Sequence, residues 1–252
     1  MNHRILSLDV LRGITIVGMI VVNNGVGERC FVPLEHAAWN GLTPTDLVFP
    51  FFLFMVGVSI ALSLGKYSPA ASLPLAKGPA IRKVLVRSVK LFVIGLLLTF
   101  SGPLLRSTPI PEILEGLRIW GVLQRIALCY GVVAMLAITL NHRYFIHTII
   151  GLIVIYMGIL VFGNGYAYDA SINILAQVDR SIFGIDHLYH RSPVDPEGLL
   201  STIPAIAHTM IGFLCCKYIS IAGQTVESKI KVLKVAGLVM VALGFGLSLI
   251  GF

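Results

Sequence analysis

The sequence predicts an all-α polytopic membrane protein, a transmembrane bundle of about seven spans, each long enough to cross a ~30 Å hydrocarbon core. Three observations predict it. Of the 252 residues, 56% are hydrophobic and only 12% are charged, against about 25% charged in soluble domains. The apolar residues gather in blocks of roughly 17–25, the length a spanning helix needs. Lys and Arg fall mostly in alternate connections between those blocks. That distribution also explains the net charge of +7 without nucleic acid as a partner. No cluster of Lys and Arg interleaved with aromatics stands in a polar domain.

The first span runs from Leu6 to Asn24 and holds Asp9 and Arg12 near its start. The second, Asp46 to Leu64, has a signalled beginning: Thr43 can cap, Pro44 suits a first helical position and Asp46 completes a capping box. Pro50 then falls in the apolar run, where a bend is expected. Lys66 to Ala80 carries Pro69, Pro74, Gly78 and Pro79 and reads as a loop. The third span, Ile81 to Phe100, opens on Arg82, Lys83, Arg87 and Lys90. A proline-bearing loop, Ser101 to Arg118, leads to the fourth span, Ile119 to Leu140, with Trp120 near an interface and Gln124 and Arg125 inside. The fifth is Tyr144 to Phe162. The polar stretch 163–199 is longer than connecting loops usually run, so part of it is expected to be ordered or functional. The sixth span, Leu200 to Ile219, contains Pro204, and the seventh runs from Val232 to Phe252 without a polar tail.

Basic residues fix the expected orientation. The head and the connections after spans two, four and six are rich in Lys and Arg, and the other connections are poorer. By the positive-inside rule the N-terminus is cytoplasmic, and the His36 loop and the 163–199 loop are external. The chain is expected to form a single transmembrane domain, 1–252. Its four cysteines show neither a disulfide framework nor metal-ligand spacing. His187 and His190 lie three apart without an evident third ligand, and no metal is expected.

Chemistry concentrates between the first two spans, where Asn23, Asn24, Glu35, His36, Trp39, Asn40 and Asp46 fall close together. A histidine exchanges protons near neutral pH, so His36 is the natural general base. Either Glu35 or Asp46 can hold its imidazole in one tautomer; alternatively His36 and Trp39 simply anchor the loop at the interface. Charges inside spans are costly, about 2.5–3.5 kcal/mol at a helix centre. Asp9 and Arg12 can pair at i, i+3. Arg125 is expected to face the bundle interior, pairing with Asp9 or binding an anion. Lys83, Arg87 and Lys90 form one stripe, suited to lipid headgroups or to a phosphate-bearing ligand. Asp195, before Pro196 and Glu197, marks a helix entry that can aim acids and N–H groups at an external cavity. Walker, Rossmann, nucleophile-elbow and HExxH motifs are lacking.

Four segments carry a family resemblance: LSLDVLRGITIVGMIVVNN, HAAWNGLTPTDLVFPFFLFMVGVSIALS, IWGVLQRIALCY and DPEGLLSTIPAIA. With them the chain resembles the heparan-alpha-glucosaminide N-acetyltransferase family and its bacterial relatives. The resemblance implies a longer domain of about ten or eleven spans, of which this chain is the N-terminal part, in a bacterial inner membrane. It implies transfer of an acetyl group from cytoplasmic acetyl-CoA to the amine of an external amino sugar or glycan. The family's histidine before W-N-G-L-T falls on His36, and its asparagine near the end of span one falls on Asn23, with Asn24 the near alternative. Within that scheme His36 is base or acyl carrier, and Asn23 and Asp46 belong to the catalytic site with it. Arg12, Arg87, Lys90 and Arg125 meet the CoA phosphates. Asn24, Trp39, Asn40, Asp195 and Glu197 face the acceptor. A homodimer is left open. Some bacterial relatives are named as transporters of N-acetylated amino sugars, and Pro50, Pro204 and the intramembrane charges make transport the alternative.

Overall fold

The computed structural model describes residues 6–23, 34–36, 42–69, 76–167, 169, 171–189, 195–221 and 223–249. Its described residues form nine α-helices: α1 (Leu6–Asn23), α2 (Val48–Leu64), α3 (Lys77–Leu105), α4 (Ile110–Glu115), α5 (Val122–Thr139), α6 (Phe145–Phe162), α7 (Ile174–Phe183), α8 (Thr202–Ile219) and α9 (Val226–Leu249). Six stretches, those built on α2, α3, α5, α6, α8 and α9, are long and apolar enough to cross a membrane. α1, the expected first span, is an 18-residue helix with Asp9 in its first turn and is not among those six. A helix keeps every backbone hydrogen bond within its own segment, which is what lipid demands.

α2, α5 and α8 form the centre, with α3 against α5, α6 against α8, and α1 against α2. Contacts fix their directions. Arg125 at the head of α5 reaches Phe49 of α2 and Ser201 before α8, so these three helices start at one end. α3 runs opposite to α5, since Gly95 meets Gln124 while Gly131 meets Ser88. α1 runs opposite to α2, Arg12 bonding Ser59 and Gly18 facing Val48. At the far end Lys217 lies beside Gly65, and Lys229 bonds the Ile219 carbonyl. We call the two ends the Asp46 end and the Lys217 end. α7 and the rest of the described 163–199 stretch cover the Asp46 end.

The core between α2 and α8 depends on missing side chains. A Cβ on Gly57 would overlap the Thr209 carbonyl oxygen, and one on Gly212 would overlap that of Phe54. Small residues let the two backbones touch where no water drives apolar surfaces together. Around this contact Ile60, Val133, Ile138, Phe145, Met210 and Phe213 are fully enclosed. α9 touches only α8 substantially, and none of its described residues is buried.

Two prolines expected inside spans, Pro50 and Pro204, and one expected in a loop, Pro79, stand at helix starts. Pro50, Pro79 and Pro204 are each the third residue of their helix, in α2, α3 and α8. The first N–H groups of a helix have no intrahelical acceptor, so a residue without an N–H loses nothing there. The expected 66–80 loop therefore ends earlier, at Ala76, and α3 extends through Pro103 to Leu105. α9 likewise begins at Val226, six residues before the expected start. Asp46 lies in a separate turn, Thr45–Leu47, ahead of α2.

Candidate functional site

At the Asp46 end, His36 Nδ1 stands 2.7 Å from Asp46 Oδ1. The local fold that places Asp46 is a half capping box: its other oxygen, Oδ2, accepts the Thr43 N–H at 2.9 Å and the Thr43 hydroxyl at 3.0 Å. The Thr43 hydroxyl also lies 2.7 Å from the Glu35 carbonyl, tying the two strands of the loop together. Of the two carboxylates open to His36, Asp46 is the one in contact. The imidazole is 67% exposed and Asp46 only 24%, so a fixed carboxylate holds an accessible ring. A carboxylate on Nδ1 places the proton there and leaves Nε2 as the basic atom.

A second, denser cluster stands at the same end. Arg118, between α4 and α5, donates from Nε to Asp195 Oδ2 at 3.1 Å and from Nη2 to Asp195 Oδ1 at 2.5 Å. It also bonds Glu197 and lies 4.6 Å from the centre of the Tyr189 ring. Asp195 further accepts the N–H groups of Tyr189 and Glu197. These four bonds take up the acceptor positions of a carboxylate. Burial pulls the Arg118 pKa down, but the two carboxylates outweigh it and the net shift is upward. Arg125 donates to the Gly198 carbonyl at 3.2 Å, to the Pro196 carbonyl at 3.5 Å and to Ser201 Oγ. Asp179 of α7 accepts the Leu199 N–H at 2.8 Å, and burial raises its pKa. Segment 195–201 is thus pinned from three sides just ahead of α8.

The cations expected to act together stand at different depths. Arg125 is not deep in its span but in the first turn of α5, and it bonds carbonyls rather than Asp9. Arg12 lies 3.7 Å from Asp9 and bonds Ser59, ten residues beyond Phe49 along α2, about 15 Å at 1.5 Å per residue. Arg87 covers the Tyr130 ring at 4.9 Å, and both it and Lys90 are exposed on α3. Asn23 closes α1, but its side chain lies outside the described residues, as do Asn24, Trp39, Asn40 and His190. His187 is held to the Leu117 carbonyl at 2.8 Å. Among the described residues no three His, Cys, Asp or Glu side chains are grouped to hold a metal ion.

A family model described as heparan-alpha-glucosaminide N-acetyltransferase, catalytic, matches residues 4–220, which takes in both clusters. The chain belongs to this family. Two curated relatives, the heparan-alpha-glucosaminide N-acetyltransferases of mouse and human, are each 30% identical to it, over 258 and 257 residues. The alignments cover 83% of this chain but 38% and 37% of the relatives. This chain therefore spans well under half the length of the family members it matches.

Within this family member, sequence reading missed Arg118, Asp179 and Ser201 as partners. Arg118 bonds residues 77 and 79 positions away, a separation that no periodicity or local spacing reports. Its one signal is the pairing of an isolated base with the only acids near the entry to α8, and that signal identifies no particular base.

Proposed function

We propose that this chain carries the acyl-transfer site of a membrane-embedded N-acetyltransferase that uses acetyl-CoA. In this reading an acetyl group passes from acetyl-CoA, entering from the basic Lys217 end, to the amine of an amino sugar or glycan at the Asp46 end. The observation that carries it is the 2.7 Å contact of His36 Nδ1 with Asp46 Oδ1 in a chain of this family. Asp46 holds the ring so that Nε2 can take a proton from the attacking amine. Alternatively Nε2 attacks the thioester first and carries the acyl group. In either order a C–S bond breaks, a C–N bond to the acceptor forms, and the CoA thiolate leaves with one proton to be regained.

Residue chemistry supports this division of ends. Lys66, Lys77, Arg143, Lys217 and the α9 lysines lie toward one end, with Arg87 and Lys90 exposed on the way to the other. These suit a ligand rich in phosphate and the cytoplasmic side. Glu35, Asp46, Asp179, Asp195 and Glu197 lie at the opposite end. Transport loses the support that Pro50 and Pro204 lent it, since neither breaks a span.

The test is transfer of labelled acetyl from acetyl-CoA to glucosamine by purified protein in lipid. His36→Ala is expected to lower the rate by about 10²–10⁴-fold while the thermal unfolding midpoint stays put, because the ring is exposed. An unchanged rate in His36→Ala sinks the assignment.

A further inference from the structure

Four buried side-chain polar atoms have no hydrogen-bond partner among the described residues: Ser88 Oγ, Trp120 Nε1, Gln124 Nε2 and Arg125 Nε. Three of them lie within six residues at the head of α5. A buried unsatisfied donor costs about 1–3 kcal/mol. Persistent orphans of this kind call for a reason.

Trp120 and Gln124 share one neighbourhood. They are four residues apart, and both lie against α3. Trp120 meets Phe92 edge-on at 6.2 Å, and the Gln124 amide atoms lie 2.7–2.9 Å from where a Cβ on Gly95 would stand. Phe92 and Gly95 lie on one face of α3. Gln124 is 2% exposed and Trp120 8%. The Gln124 amide also folds back toward Gly121, which begins α5 without a side-chain cap. The amide oxygen is the atom that lies toward Gly121, which leaves Nε2 on the side of α3, against Gly95.

Every orphan in this place is a donor. Indole Nε1 can only donate, and Gln124 Nε2 carries two hydrogens. Both are neutral, which suits a carbonyl oxygen better than a phosphate, where cations and forked guanidinium groups are used. Arg125, next along the helix, directs its bonds at segment 196–201 and leaves these two free for another acceptor. The site is at the Asp46 end, because Arg125 in the same turn reaches Phe49, three residues after Asp46.

We propose that Trp120 Nε1 and Gln124 Nε2 receive the carbonyl oxygen of the thioester that donates the acyl group. The inference rests on the acyl-transfer reading above and adds the group that holds the reacting oxygen. When the amine nitrogen attacks the carbonyl carbon, the C=O π electrons move onto that oxygen, and the two N–H donors stabilise it there. Collapse restores C=O, breaks C–S and releases the CoA thiolate, while His36 Nε2 takes the amine proton and passes it to the thiolate. The Gln124 amide rests on Gly95, and its flexible side chain can turn to a group entering between α3 and α5.

The experiment compares equilibrium binding of acetyl-CoA and of CoA, which lacks the carbonyl, to the full chain in lipid nanodiscs. Wild type is expected to prefer acetyl-CoA by about tenfold, the equivalent of one hydrogen bond of about 1.4 kcal/mol. Gln124→Met and Trp120→Phe should each lower that ratio by about threefold or more, with CoA affinity unchanged within about twofold. A role confined to holding α3 against α5 predicts a lower unfolding temperature with the preference intact, and that result overturns the proposal. So does equal binding of both ligands by wild type, which leaves the acyl-transfer reading standing. Binding of neither ligand overturns both. Should Gln124→Met fail to fold, Trp120→Phe alone decides between these results.

Discussion

The two polar clusters at the Asp46 end are built in opposite ways. His36 and Asp46 share one contact, and the imidazole is two-thirds exposed. Asp195 is 1% exposed at its side chain and receives four donors, two of them from Arg118. Capacity left over in the first cluster is what catalysis requires: an accessible nitrogen whose ring is already oriented. Saturation in the second is what anchoring requires, since a buried charge is tolerated only when its partners are all in place. Asp195 and Glu197, candidates for holding an acceptor sugar, thus have their carboxylates engaged by the protein. Residue type alone does not separate the two cases, because both contain a carboxylate and a basic side chain near a proline.

The largest effect should come from breaking the saturated cluster. Arg118→Met leaves the buried Asp195 and the partly buried Glu197 without their cation and is expected to destabilise the fold by about 3–5 kcal/mol. The loss should appear as lower expression and a lower unfolding temperature in lipid. Arg118→Lys should recover only part of it, because an ammonium cannot fork across Asp195 as a guanidinium does. If Arg118→Met unfolds at the wild-type temperature but no longer acetylates an acceptor, the cluster is part of the chemistry and the contrast fails.

A smaller free-energy change, with the opposite signature, is expected of Asp46→Asn. The amide can keep the ring in place but does not favour the Nδ1–H tautomer as a carboxylate does. A loss of about 10²-fold in kcat is expected, with stability changed far less than by Arg118→Met. A stability loss as large as that of Arg118→Met would make Asp46 chiefly the cap of the Thr45–Leu47 turn, through its bonds to Thr43.

This contrast also explains what could be read from the sequence. Apolar blocks and their Lys/Arg-rich connections gave away the helices, because lipid imposes one requirement on each span separately. α6 from Phe145 to Phe162 lies within one residue of its expected start. The prolines misled, because an apolar run continues without a break from the turn into the helix. Composition cannot show that Pro50 and Pro204 occupy a first turn. The His36–Asp46 contact was half visible: the two residues are ten apart in a segment bounded by two spans, so few partners were available. The Arg118–Asp195 and Arg125–Ser201 contacts cross more than seventy residues and depend on how α5 and α8 start side by side. Only the assembled bundle reports that.

Asp179 tests the boundary between the two designs, with the smallest expected effect. It is buried and accepts one N–H, from Leu199, yet burial raises its pKa against the pull of that bond and of Arg125. A raised carboxylate pKa means that the folded state favours the protonated form. Its contribution to stability is therefore full below the ordinary aspartate value and is lost as pH rises through the raised one. Asp179→Asn keeps an acceptor for Leu199 and removes the titration. The variant's unfolding temperature should match wild type at the acid limit and exceed it increasingly toward neutral pH, by about 2–4 °C at most. The charges of Arg118, Asp195 and Glu197 are present in both proteins, so the difference isolates Asp179. A variant that instead falls below wild type as pH rises would show that the attraction to Arg125 outweighs desolvation. Asp179 would then be an ionised member of the anchoring network, and pinning of segment 195–201 would strengthen, not weaken, on moving from acid to neutral pH.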